Sequence, residues 1–192
     1  MIIWLASYPK SGNTLLRSIL ATYFFSKEGE FKFDYLYKIE QFPSISNFEN
    51  IGVDVLDEKK VFNNFIQAQK FINKEKNKVK FIKTHSSLSR INDSNFTDLE
   101  NTMGAIYIVR DPRNVIKSYA HHYDLSLDEA ADVMIDQTRW LVKTDKMFKT
   151  FLSSWSINYN SWKQLGDKVL FVKYEDLINK KKTILIKIFK FI

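Results

Sequence analysis

Three short segments carry side chains whose types and spacing suit the chemistry of bound anions. The first reads Ser7-Tyr8-Pro9-Lys10-Ser11-Gly12-Asn13-Thr14. Gly12 lets the main chain approach a phosphate closely. A helix starting just after it would offer unpaired N–H groups and a positive dipole end. Lys10 adds a mobile charge, and Ser11, Asn13 and Thr14 add hydrogen bonds. The segment therefore reads as an anion cradle, with an ordinary strand–helix turn as the alternative. It is not the G-x-x-x-x-G-K-[ST] loop, because Lys10 precedes Gly12.

The second segment is Lys83-Thr84-His85. Histidine is the natural general base near neutral pH, although a lone histidine is more often structural or exposed. The third is Tyr107-Ile108-Val109-Arg110-Asp111-Pro112-Arg113-Asn114-Val115-Ile116-Lys117-Ser118-Tyr119. An arginine fixed at a strand end can grip a phosphate with two hydrogen bonds, and Ser118 adds a hydroxyl about two helical turns on. The competing reading pairs Arg110 with a local carboxylate such as Asp111. His121 and His122 read as surface or capping groups. No H-x-x-x-H occurs, and no acid stands where a magnesium nucleotidase needs one, so no metal is expected.

These segments need elements to hold them. The apolar run Ile2-Ile3-Trp4-Leu5-Ala6 suits a strand buried on both faces of a parallel sheet. Leu15, Leu16, Ile19, Leu20 and Tyr23 follow at helical spacing. Residues 26–56 read as a long loop with short elements that contributes to an acceptor pocket. A helix is expected over 57–73, with Val61, Phe65, Ala68 and Phe71 on one face, and a strand over 79–84. A strong strand follows at 103–110, and Asp111 and Pro112 then open a helix as N-cap and first residue. Helices are expected over 127–139 and 145–164, a short strand over 169–173, and a buried or amphipathic helix over 183–192. Alternating strands and helices imply an α/β fold: a three-layer open parallel sheet flanked by helices. In such sheets ligands lie beyond the carboxyl ends of the strands.

The 192 residues fit one domain, expected to span 1–192. Cysteine is absent, which rules out disulfides and thiolate metal sites and fits a cytoplasmic location. The formal charge of +7 suits phosphorylated or sulfated ligands as well as a solvated basic surface. No nucleic-acid-binding motif accompanies it, so no nucleic acid is expected as partner. The apolar start lacks the pattern of a signal peptide, and no apolar run reaches membrane-spanning length.

Taken together, the segments resemble the cytosolic-type sulfotransferase family, over about residues 1–180 and in family order. Ser7 to Thr14 looks like its 5'-phosphosulfate loop and Lys83-Thr84-His85 like its catalytic segment. Residues 107–119 look like its 3'-phosphate segment, with Arg110 and Ser118 at the binding positions. Lys173-Tyr174-Glu175-Asp176-Leu177 looks like a later segment near the adenine, and Ser154-Trp155 and Ser161-Trp162 resemble the tryptophan-bearing helix before it. Two departures stand out. Leu15 occupies the position where the family often has an adenine-stacking Trp, and the family's late Arg-Lys-Gly segment is missing.

The resemblance implies a P-loop-like nucleotide-binding fold. It also implies metal-free transfer of a sulfuryl group from 3'-phosphoadenosine 5'-phosphosulfate (PAPS) to a hydroxyl or amine of a small-molecule or glycan acceptor, leaving PAP. His85 would be the base, and Lys10 and Lys83 would assist the transfer. Lys10, Ser11, Gly12, Asn13, Thr14, Arg110, Ser118 and Tyr174 would hold the nucleotide. The rival readings are a non-catalytic PAP-binding remnant and, further off, a magnesium-dependent P-loop kinase.

Overall fold

The computed structural model describes residues 1–74, 78–91 and 93–192. The chain begins with β1 (Ile2–Ala6) and α1 (Asn13–Phe25). A long connection holds a 3₁₀ turn (Phe33–Lys38) and α2 (Ile45–Glu49), and leads to α3 (Glu58–Asn63), α4 (Phe65–Ile72) and β2 (Lys80–Thr84). The short pair β3 (Arg90–Ile91) and β4 (Ser94–Asn95) precedes β5 (Thr102–Val109), α5 (Pro112–Tyr123) and α6 (Leu127–Ile135). A second ribbon, β6 (Trp140–Leu141) with β7 (Thr150–Phe151), leads to α7 (Trp155–Ser161). The chain closes with β8 (Val169–Lys173), α8 (Tyr174–Asn179) and α9 (Lys181–Phe191).

The main sheet has the order β2-β1-β5-β8, and its three pairings are parallel. β1 is buried at every residue because both its faces are covered. Ile2, Trp4 and Ala6 face one layer with Phe42, Phe65, Tyr107 and Trp162. Ile3 and Leu5 face the other with Leu16 and Leu20 of α1 and Ile184 and Ile188 of α9. The layers are therefore helix, sheet, helix, as the alternation of elements implied. Trp4 still satisfies its indole, which donates to Thr102 Oγ1 at 2.9 Å. Among the described residues no helix is long and apolar enough to cross a membrane.

Three expectations need correction. The helix expected over 57–73 is two helices, broken where Asn64 leaves helical geometry at φ −105°, ψ 12°. The Asn64 side chain donates to the Lys60 carbonyl at 2.9 Å, which competes with the main-chain ladder. Beyond the break Ile72 takes the buried place, and Phe71 lies half-buried under Lys74. The helix over 127–139 stops at Ile135. Asp136 accepts there from the N–H and hydroxyl of Thr138, a local turn that outcompetes the helix. Residues 145–154 are not helical: Thr150 and Phe151 pair with Leu141 and Trp140, and Phe148 is drawn into the aromatic layer against Phe48 and Phe62. Tertiary pairing overrides the helical pattern until Ser154 caps α7 by accepting from the Ile157 N–H.

Candidate functional site

Parallel strands deliver their following segments to one edge of the sheet. β1 is followed by the loop 7–12, β2 by His85, β5 by Arg110 and β8 by Tyr174. These four arrivals line a cavity of about 670 Å³, within the usual range of roughly 300–1,000 Å³ for small-molecule sites.

The loop after β1 is a preformed cradle. Lys10 (φ 64°) and Gly12 (φ 99°) both take left-handed backbone. Gly12 is required twice over, because an added Cβ would lie 2.3 Å from Cδ2 of Tyr174. Gly12 offers no side-chain cap to α1, whose first turn holds no acid, so the opening N–H groups remain available to an anion. Ser11 is buried with its hydroxyl unpartnered, and Thr14 is exposed at the start of the helix. The Asn13 side chain turns inward. Its Nδ2 donates to the Leu5 carbonyl at 2.9 Å and to Ser7 Oγ at 3.2 Å, tying the loop to β1.

His85 is held in one tautomer. Its Nδ1 lies 2.8 Å from the Ser7 carbonyl and 3.1 Å from Ser7 Oγ. A carbonyl only accepts, so Nδ1 carries the proton and Nε2 keeps its lone pair. Burial, and then the charge of Lys83, push the imidazole pKa down to about 3, with Arg17 and Lys10 adding to the effect. His85 is thus neutral at ordinary pH. Its segment is pinned from α7 and the turn that follows. Asn158 Nδ2 donates to the carbonyls of His85 (3.0 Å) and Leu152 (2.8 Å), while its Oδ1 accepts from Tyr107. Trp162 donates to the Ser86 carbonyl, and Ser161 accepts from the Leu88 N–H. Sequence reasoning missed Asn158; the available signal was a polar residue three and four positions before Ser161 and Trp162, on one helical face with them.

The cations are not neutralised. Lys83 donates to Gln41 Oε1 at 2.7 Å, and burial, with Arg17 nearby, lowers its pKa to about 8. Asp111 pairs with Arg113, not with Arg110. Arg110 instead donates to the Lys10 carbonyl at 3.2 Å and lies 4.6 Å from the centre of the Tyr174 ring. Its Nε is buried without a partner. No ion pair to Arg110 occurs among the described residues.

Lys10, Gly12, Asn13 and Thr14 stand on the cavity wall with Lys83, His85, Arg110 and Tyr174. Ser11 is buried within the loop and Ser118 is half-buried on α5; neither lines the cavity, although His122 and Tyr123 farther along α5 do. The sequence reading missed much of the opposite wall. Leu141, Val142, Met147 and Phe148 come from the β6–β7 ribbon, and His122 and Tyr123 from the end of α5. From the stretch 26–56, Gln41 and Phe42 reach the cavity. Among the described residues no carboxylate lines it. The lining therefore combines cations and N–H donors with apolar side chains and a neutral imidazole. That arrangement suits a polyanion beside an uncharged group that must lose a proton.

The fold is shared with solved sulfotransferase structures. A mouse sulfotransferase complexed with PAP is 19% identical with a TM-score of 0.58, over 99% of this chain and 57% of that one. A retinol dehydratase in complex with androsterone and inactive cofactor PAP is 16% identical with a TM-score of 0.61, over 99% of this chain and 59% of that one. The chain thus spans less than three fifths of the length of either. No curated protein sequence matches it. The sequence model of the sulfotransferase domain matches residues 2–192, so with its cradle, histidine and strand-end arginine at the edge of this sheet the chain belongs to the sulfotransferase domain family.

Proposed function

We propose that the protein transfers a sulfuryl group from PAPS to a hydroxyl or amine of a small-molecule or glycan acceptor and releases PAP. The observation that carries this reading is a neutral histidine with a free Nε2 on the same cavity as an uncapped, acid-free cradle. The residues present suit such a donor. Lys10, Lys83 and Arg110 supply uncompensated positive charge, and Arg110 Nε and Ser11 Oγ are buried polar atoms still lacking a partner.

His85 Nε2 takes the acceptor's proton as the acceptor atom forms its bond to sulfur. The sulfur–oxygen bond to the 5'-phosphate breaks in the same step, and Lys10 and Lys83 offset the charge left on that oxygen. Arg110 is assigned the 3'-phosphate. Tyr174, already engaged by Gly12 and Arg110, supports the cradle. Leu15 is on the wall and offers the adenine an apolar contact in place of an aromatic stack.

Calorimetry with PAP, PAPS, ADP and ATP, paired with a sulfuryl-transfer assay on phenols, alcohols, amines and sugars, tests the reading. PAP and PAPS should bind without magnesium and more tightly than ADP. Lys10→Met should lower turnover more than PAPS affinity, because a cation aimed at the leaving oxygen acts chiefly on the transition state. Wild-type protein that binds PAPS yet neither transfers nor hydrolyses it faster than Lys10→Met would be a binding module only.

A further inference from the structure

We propose that Gln41 is a positioning residue for this reaction: its side-chain oxygen fixes the Lys83 ammonium at the cavity wall without cancelling its charge. The inference rests on the transfer reading above and adds a residue that lies outside the cradle, the histidine segment and the strand-end arginine.

Residues 40–42 run beside the edge strand β2. The Lys83 N–H donates to the Glu40 carbonyl at 2.8 Å, and the Phe42 N–H donates to the Lys83 carbonyl at 2.9 Å. Gln41 is thereby bridged in parallel register to Lys83. The strap leading to it is anchored on α1. Arg17 is 8% exposed, and its Nη2 donates to the carbonyls of Leu36 (2.8 Å) and Ile39 (3.1 Å). Two backbone bonds to β2 and two from a buried guanidinium leave Gln41 little freedom.

The contact itself is one-directional. An ammonium only donates, so the amide must turn Oε1 toward Lys83. Gln41 Nε2 then has no partner among the described residues. Among the described residues the charged and titratable groups facing Lys83 are Arg17 from α1 and His85 just beyond the end of β2, with Lys10 on the same cavity; none is an acid. Glu40 gives the strap only its backbone, and the residue is exposed. The choice of side chain at 41 therefore decides the character of Lys83. A carboxylate would pair with the ammonium and spend its charge. An apolar side chain would leave a long, flexible stem to be ordered only when ligand arrives. A neutral oxygen orients the cation and leaves its field for an anionic donor.

The test uses two variants close to glutamine in shape, Gln41→Glu and Gln41→Met. The first readout is the titration of Lys83 in ligand-free protein, followed by NMR of ¹³Cε-labelled lysine and assigned with Lys83→Arg. Gln41→Glu should raise the Lys83 midpoint from about 8 by one pH unit or more, the scale of an adjacent opposite charge, and Gln41→Met should lower it. The second readout is PAPS turnover. Gln41→Met should cut kcat about tenfold, with the KM for PAPS changed by less than about threefold. In wild type the alkaline fall in kcat should follow Lys83, and Gln41→Glu should carry that fall to higher pH. A Lys83 midpoint unmoved in both variants overturns the proposal, as does unchanged kcat in Gln41→Met. If wild-type protein neither binds PAP nor transfers sulfuryl, the transfer reading fails, and the titration still decides whether Gln41 holds Lys83.

Discussion

At the scale of single residues, Arg110 and His85 divide the work between binding and proton transfer. Arg110 reaches the cavity with no acidic partner among the described residues, and its Nε is buried without a hydrogen bond there. Arg110→Ala should weaken PAP binding by about 1.5–3 kcal/mol, the scale of hydrogen bonds to charged groups. AMP, without the 3'-phosphate, should lose much less in the same calorimetry. An equal loss for both would mean that Arg110 serves only to support the Lys10 carbonyl. His85→Asn keeps a donor near the Ser7 carbonyl and removes Nε2. Turnover should fall about 10²-fold or more, the usual worth of a general base, with PAP affinity little changed. Collapse of PAP binding instead would assign His85 a structural role.

At the scale of elements, the cradle depends on the strand that ends opposite it. Tyr174 opens α8 directly after β8, and its ring fills the space where a side chain on residue 12 would sit. Gly12→Ala should therefore destabilise the protein by roughly 1–3 kcal/mol from left-handed backbone alone, with the Tyr174 contact adding to it. Chemical denaturation of Gly12→Ala against wild type measures this, and Tyr174→Ala in the same background should recover only the contact part. A Gly12→Ala protein as stable as wild type would mean that the loop rearranges freely, and the preformed cradle would be lost as an explanation. α7 plays the matching part for His85. Asn158 ties together His85, Leu152 and Tyr107, segments distant in the chain, through three hydrogen bonds.

At the scale of the whole molecule, Lys10, Lys83 and Arg110 meet at one cavity that no acid lines among the described residues, which links stability to pH and to ligand. The unfolded chain binds a proton at His85 near pH 6.5, whereas the folded protein resists until about 3. The unfolded state therefore holds more protons in this window, and stability falls as pH drops from about 6.5 toward 3. Thermal unfolding of wild type and His85→Asn across that window should show a shallower decline in the variant. Lys83 acts with the same sign at alkaline pH: folded protein releases its proton near 8 and unfolded protein near 10.5, so its contribution rises between them. An anion in the cradle favours both protonated forms. PAP binding near pH 8 should take up protons, measurable as a dependence of calorimetric heat on buffer ionisation enthalpy.

Whatever was encoded locally could be read from the sequence. An apolar run followed by Lys10 and Gly12, and a second followed by Arg110, Asp111 and Pro112, defined two strands, their exit turns and the helices beyond them. Each depends on neighbours a few residues away, through backbone sterics, capping and hydrophobic period. Tertiary structure alone decided what distant segments do to one another. It turned Asn13 inward to Leu5 and made a ribbon of 140–151 that walls the cavity. It also set Gln41 against Lys83 and Asn158 against His85, pairs 42 and 73 residues apart. No periodicity marks such residues, because their partners are chosen by the register of the sheet and the packing of α7, which exist only once the chain has closed on itself.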